Sequence, residues 1–217
     1  MSFKPLEQGD PRLRQACKQL TKKELTQKNQ QAEVSRLLEY VGGRGNKSVP
    51  GVSPDRTRPR VVGLSANQVG VMKRISIVDL AIGKRGYYDT FVLINPKIVW
   101  RSKSTLERVE GCVNFTTIWG KTKRSKTVKV EALDRSGNEI SLKLTGWPAI
   151  LLQHEVDHLN GHLFIDRLVD PERADLVAPS EFAAYKKTKE DWPKTIDVSH
   201  HIVADTTAKR EASELSN

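Results

Sequence analysis

The sequence predicts an α+β protein in which antiparallel strands wrap one buried helix, and three features predict it. From about residue 60 to residue 145 the chain runs in short β-rich segments bounded by Gly, Pro or Asp. Residues 147–160 are apolar nearly all round, the pattern of a helix buried on every side rather than lying on a surface. Ahead of both, residues 10–40 carry apolar side chains near helical spacing.

Taken from the N-terminus, Leu13, Cys17, Leu20 and then Val34, Leu37, Leu38 and Val41 predict a helix over residues 10–40 with polar flanks. Cys17 falls on its apolar stripe and reads as a buried, inert thiol. The helix cannot continue through residues 42–60, GGRGNKSVPGVSPDRTRPR, because Gly, Pro and polar side chains dominate there. This stretch reads as a basic loop insertion: Arg44, Lys47, Arg56, Arg58 and Arg60 stand against one acid, Asp55. Its glycines form no phosphate loop, since no GK[ST] follows. RVVGLSA, VMKRISIVDL and YYDTFVLINPKIVW then read as strands. KTVKVEALDRSGNEISLKLTG alternates apolar and polar residues around Arg135, Ser136, Gly137 and Asn138, which predicts an antiparallel hairpin with one wet face. Lys121, Lys123, Arg124, Lys126 and Lys129 at its entrance read as charges that solubilise an exposed strand edge. In the helix at 147–160, Pro148 sits early enough to be tolerated and Gly161 stands where the helix stops. After Asp170 the chain turns polar, with one more short helix in PSEFAAYKKTKE and a frayed tail. The expected organisation is a single domain over 1–170 with the basic loop insertion at 42–60, followed by a C-terminal helix and polar tail over 171–217.

Composition narrows the class. The chain has 217 residues and a formal net charge of +10, from 36 Lys and Arg against 26 Asp and Glu, with both signs mixed along most of its length. It reads as a folded protein, not a disordered basic tail. No apolar run reaches the roughly 18 residues of a membrane span, and the first residues lack the apolar core of a secretory signal. No membrane partner is expected, and the expected location is cytoplasmic or, for an imported chain, organellar. Two cysteines make no disulfide framework. The positive balance makes a polyanionic partner worth testing.

The chemistry is concentrated in His154-Glu155-Val156-Asp157-His158. Two imidazoles at i and i+4 share one face of the buried helix with a carboxylate beside the first, a metal clamp with a built-in base. A catalytic site of this kind needs a third ligand and an open position. Where HExxHxxGxxH proteases place their third histidine the chain has Phe164, and His162 lies beyond the helix stop. Glu172 and Glu181 have no supporting motif. The better candidate lies upstream, where Glu110-Gly111-Cys112-Val113-Asn114 ends an extended run with a projecting thiol.

At this point the sequence resembles the peptide deformylase family. Gly63-Leu64-Ser65-Ala66-Asn67-Gln68 is similar to its GLAAxQ, Glu110-Gly111-Cys112 to its EGCLS, and His154 to His158 is an intact HExDH. Asp10-Pro11-Arg12-Leu13-Arg14 and Gly161-His162-Leu163-Phe164-Ile165-Asp166 match as well, so the resemblance runs from about residue 9 to residue 168. It implies a peptide-deformylase-like fold and one divalent ion, Fe(II) first and otherwise Zn(II), Ni(II) or Co(II), held by Cys112, His154 and His158. It implies a hydrolase that removes formyl from N-terminal formylmethionine of nascent peptides, metal-bound water attacking the formyl carbon with Glu155 as general base. The Gln68 side chain and the Val113 N–H would stabilise the oxyanion; Gly63 and Gly111 would lie along the substrate backbone. Ile150 and Leu151 would line the methionine pocket or serve as plain core. No specific DNA is implied, and ribosome association through the basic loop is an expectation. Departures fall at Val113 and Asn114, where the family has Leu and Ser, at Ser65 in place of Ala, and at Val61 in place of Gly. They leave three rivals: a deformylase-like protein with altered substrate or weak activity, another metal-dependent amidase or peptidase, and an RNA-binding protein with a structural metal.

Overall fold

The structure, a computed structural model, describes residues 3–43, 61–80, 90–188 and 191–199. Most of the basic loop expected at 42–60, and the expected frayed tail from residue 200 on, lie outside the described residues. In chain order the strands are β1 Gly63–Ser65, β2 Ile75–Asp79, β3 Thr90–Arg101, β4 Thr105–Cys112, β5 Phe115–Ser125, β6 Thr127–Leu133, β7 Glu139–Thr145, β8 Ala174–Leu176 and β9 Thr195–Ile196. The α-helices are α1 Lys22–Leu25, α2 Lys28–Gly43, α3 Trp147–Leu159 and α4 Phe182–Thr188. The chain divides into two compact units, one of residues 1–106 and 124–161, the other of residues 107–123 and 162–217.

The first unit is built on a five-stranded antiparallel sheet in the order β1-β2-β3-β6-β7. The expected β6–β7 hairpin forms, with Leu133 opposite Glu139 and Thr127 opposite Thr145. Its turn is held by Asp134, whose carboxylate accepts from the N–H groups of Ser136 and Asn138 at 2.7 and 2.9 Å, while Gly137 takes a φ of 87°. Val128, Val130 and Ala132 face inward and the residues between them outward, so one face is wet as the alternation predicts. Pro96 lies within β3, where it cannot donate to the ladder, and the register of β3 against β6 shifts across this point. Asn95 beside it adopts a φ of 52° and uses its side chain to bond both backbone groups of Leu20, at 2.9 and 2.7 Å.

One inner face of this sheet meets α3. Val78, Leu93, Val128, Val130 and Ala132 pack with Ala149, Leu151, Leu152 and Val156 in a single apolar cluster. Burial on this scale is what holds a helix that carries polar residues in place.

The N-terminal segment differs from the expected single helix. A 3-10 turn at Pro11–Arg14 is followed by an extended stretch, then α1 and α2. Two local causes break it. The Cys17 N–H bonds the Leu159 carbonyl at 2.9 Å and Lys18 pairs with Lys73 as a β-bridge, so this backbone is committed to neighbours. Thr21 then starts a new helix through a reciprocal capping box with Glu24, at 3.1 and 2.8 Å. The apolar stripe itself is buried as expected, with Leu13, Cys17, Val34, Leu37 and Val41 all in the core. Burial raises the Cys17 thiol from its ordinary value to about 11, with Arg74 pulling weakly the other way. Cys17 is therefore expected to stay unalkylated by iodoacetamide at neutral pH in the folded protein and to react on unfolding, as read by peptide mass spectrometry.

The second unit carries a four-stranded antiparallel arrangement in the order β4-β5-β8-β9. Trp119, Phe182, Tyr185 and Trp192 form an aromatic cluster with Val177, the Trp119 and Phe182 rings lying 4.6 Å apart. The Tyr185 hydroxyl donates to Asp175 at 2.6 Å. The short helix expected after Asp170 is α4, preceded by a 3-10 turn at Pro179–Glu181. Among the described residues no helix is long and apolar enough to cross a membrane.

Candidate active site

In α3 every residue from Ala149 to Leu159 is buried. Gly146 precedes the helix with a φ of 73°, and Pro148 occupies the first turn, where its missing N–H costs nothing. Gln153 ties the helix to the end of β5: its amide donates to the Ser125 carbonyl at 2.9 Å and accepts from the Ser125 N–H at 3.1 Å. At the other end the last carbonyls, which no helical N–H can reach, are taken up by side chains. The Asn67 amide donates to His158 O at 2.7 Å, and Arg74 donates to Leu159 O at 3.1 Å and to Asn160 Oδ1 at 2.7 Å. Gly161, with a φ of 80°, ends the helix where the sequence predicts. A Cβ there would sit 2.6 Å from the Arg14 carbonyl, so the position has no room for another residue.

His154 and His158 are both buried, their Nε2 atoms 3.2 Å apart and their rings nearly perpendicular at 73°. Two imidazole nitrogens on one tetrahedral ion at about 2.05 Å would stand roughly 3.3 Å apart. The pair thus converges as metal ligands do, and the residues fit a divalent ion. His162 lies past the helix stop in the other unit, its Nδ1 3.9 Å from Asp166 Oδ2.

Glu155, 2% exposed, lies against β1. A Cβ on Gly63 would overlap its Oε1 and approach Leu151 Cδ1 at 2.8 Å, so the absent side chain is what admits the carboxylate. Ser65, two residues on and therefore on the same strand face, contacts Glu155 Oε2 through its hydroxyl at 2.9 Å. Gln68 is buried in the 3-10 turn at Ala66–Val69, and its Oε1 accepts from the Ser65 N–H at 2.7 Å. That bond anchors the carbonyl end of the amide and makes its NH2 the donor end. Leu151 belongs to the apolar cluster on the sheet, and Ile150 is 1% exposed.

Asp157, between the two histidines, forms a buried ion pair with Arg124 at 2.6 Å, the two side chains 8% and 3% exposed. Arg124 is thus a correction to the reading of the 121–129 basic run as solvated charge. Alternation along β5 turns Thr122 and Arg124 inward while Lys121 and Lys123 face out.

In the second unit, Glu110 is buried and accepts a hydrogen bond from the Thr122 hydroxyl. A Cβ on Gly111 would fall 2.6 Å from the Trp119 ring, so this glycine has a local packing role whatever else it does. Cys112 is half-buried at the end of β4, with its sulfur 3.6 Å from Asn114 Oδ1. Val113 follows in the turn between β4 and β5. Glu181, one of the weaker ligand candidates, is engaged by Lys194.

A family model described as polypeptide deformylase matches residues 4–174. The chain belongs to the polypeptide deformylase family. It is 35% identical over 145 residues to the peptide deformylase of Methylocella silvestris, covering 66% of this chain and 73% of that one. It is 39% identical over 126 residues to peptide deformylase 1B, chloroplastic, of Solanum lycopersicum, covering 58% of this chain and 44% of that one. Over the first relatives the match spans between 44% and 63% of their own length. The crystal structure of peptide deformylase from Thermotoga maritima superposes with a TM-score of 0.64 at 30% identity, covering 78% of this chain and 99% of that one. The mixed α and antiparallel β architecture is thus the deformylase fold, and the family works with a divalent metal ion.

Within this deformylase-family chain, the first unit carries His154, Glu155, His158, Ile150 and Leu151 on α3, Gly63 on β1 against Glu155 and Leu151, and Gln68 in the 3-10 turn that follows β1. Sequence reasoning missed Arg124 and Arg74, although the aspartate inside HExDH on an all-apolar helix signals a buried partner. It also missed the hydroxyl contact of Ser65, a position visible only as a departure from GLAAxQ.

Proposed function

We propose that the chain is a peptide deformylase, a hydrolase that removes the formyl group from N-terminal formylmethionine of nascent peptides. The observation that carries this is the buried helix with two converging imidazoles and Glu155 seated between Gly63 and Ser65. Family membership over residues 4–174 supports the substrate class. Cys112, His154 and His158 offer one sulfur and two imidazole nitrogens, and this donor group would hold one divalent ion, with Fe(II) first and Zn(II), Ni(II) or Co(II) as alternatives. When bound, the ion supplies Lewis acidity that brings water into its reactive range near neutral pH.

The protein groups do the rest. Glu155 takes the proton of the attacking water and passes it to the departing amine. The oxyanion that forms at the formyl group would meet the Gln68 NH2, whose carbonyl end is held by the Ser65 N–H, and the Val113 N–H; each such donor is typically worth about 3 kcal/mol. Gly63 and Gly111 leave the substrate backbone unobstructed, and Ile150 and Leu151 border the methionine side chain. Mass spectrometry of a formyl-Met tripeptide tests the reading: loss of the formyl group with both peptide bonds intact is expected, whereas cleavage of a peptide bond would make the chain an amidase or peptidase instead. A second reading, a deformylase-like protein with weak or redirected activity, is favoured by Asn114 beside Cys112, because an altered neighbour of a ligand changes metal affinity or rate 10- to 100-fold.

The net charge of +10 supports ribosomal RNA as a neighbour, and the location proposed is the compartment of translation, cytoplasmic or organellar. Ribosome co-sedimentation is expected to weaken steeply as salt rises, and removing the basic loop at 42–60 to flatten that slope; binding insensitive to salt would contradict it.

A further inference from the structure

β1 has only three residues, and the two that share a face, Gly63 and Ser65, both face Glu155. Oε1 occupies the space that a side chain at 63 would fill, and Oε2 meets the Ser65 hydroxyl at 2.9 Å. The same hydroxyl lies 2.7 Å from the Glu155 main-chain carbonyl and 2.9 Å from the hydroxyl of Ser76, its partner across β1 and β2. Ser65 and Ser76 are both 0% exposed.

A hydroxyl has one proton and two lone pairs, so three neighbours at these distances use it fully and fix its position. The Glu155 carbonyl only accepts, so Ser65 donates toward Glu155 and Ser76 donates to Ser65. Its one proton is directed at the two Glu155 oxygens, Oε2 and the main-chain carbonyl, while its own oxygen accepts from Ser76. An alanine here, the residue of the family's GLAAxQ, would offer no such contact.

We infer that Ser65, oriented by Ser76, is a positioning residue that holds the Glu155 carboxylate in its working rotamer against Gly63. The inference rests on Glu155 being the general base. Ser76 acts at one remove, by supplying the proton that leaves the Ser65 hydroxyl aimed at Glu155.

The test is steady-state formate release by Ser65→Ala, Ser76→Ala and Glu155→Ala proteins loaded with Fe(II) without oxygen, with bound metal per chain measured and the Ser65→Ala crystal structure determined. Ser65→Ala removes one oxygen from a filled site and is expected to fold. Its kcat should fall roughly 5- to 20-fold with KM within about twofold and full metal content, the size of one charge-assisted hydrogen bond. Ser76→Ala should lose about two- to threefold in kcat. In the Ser65→Ala crystal the carboxylate should occupy a second rotamer. An unchanged kcat, a carboxylate that does not move, or a loss of metal that accounts for the loss of rate would each overturn the inference while an inactive Glu155→Ala protein leaves the base assignment standing. Full turnover by Glu155→Ala would overturn both.

Discussion

Glu155→Ala protein is expected to bind one metal ion per chain and to release formate about 10²- to 10⁴-fold more slowly than the parent, the usual range for a positioned acid or base. The two properties separate because the carboxylate lies toward β1, against Gly63 and Ser65, while the imidazoles converge on each other. The alanine side chain leaves the Ser65 hydroxyl bonded to the Glu155 main-chain carbonyl at 2.7 Å, so the strand and helix stay joined. Metal analysis and a rate measured on the same preparation check both halves; loss of metal together with rate would mean that Glu155 supports the ligands rather than moving a proton.

Arg124→Ala is expected to cost about 3–5 kcal/mol in stability, read as a lower urea midpoint at unchanged slope. The reason is not that the ion pair is strongly favourable. Removing the guanidinium takes the ion-pair partner at 2.6 Å away from Asp157, 8% exposed, on a helix buried along nearly its whole length. Replacing both partners by apolar residues, Arg124→Met with Asp157→Leu, should recover most of the loss, because the buried charge is then gone. A single substitution as mild as a surface lysine change, within about 0.5 kcal/mol, would contradict the burial of this pair.

Much of this was legible in the residues because the signals were local. Pro148 and Gly161 bracket α3, and the all-round apolar pattern predicts its burial. Alternation and the turn residues Arg135 to Asn138 predict the β6–β7 hairpin and its wet face. Two histidines at i and i+4 need only helical geometry to meet. The N-terminal helix failed because spacing alone cannot see that the Cys17 N–H is committed to Leu159, more than a hundred positions away in the chain. For the same reason Arg124 read as one more charge in a basic run: its inward turn is set by alternation along β5 and its partner lies on another element. Ser65 was visible only as a departure from a pattern, and the meaning of that departure lay in Glu155 and Ser76, which the fold brings to it.

The most direct test of the metallohydrolase account is formate release from a formyl-Met tripeptide as metal-free protein is titrated with Fe(II) in the absence of oxygen. The account predicts a rate that rises linearly to one equivalent per chain and then stays flat, with no increase in a Cys112→Ala protein. Turnover by the metal-free protein, or a site filled at one equivalent with no formate released, would contradict it.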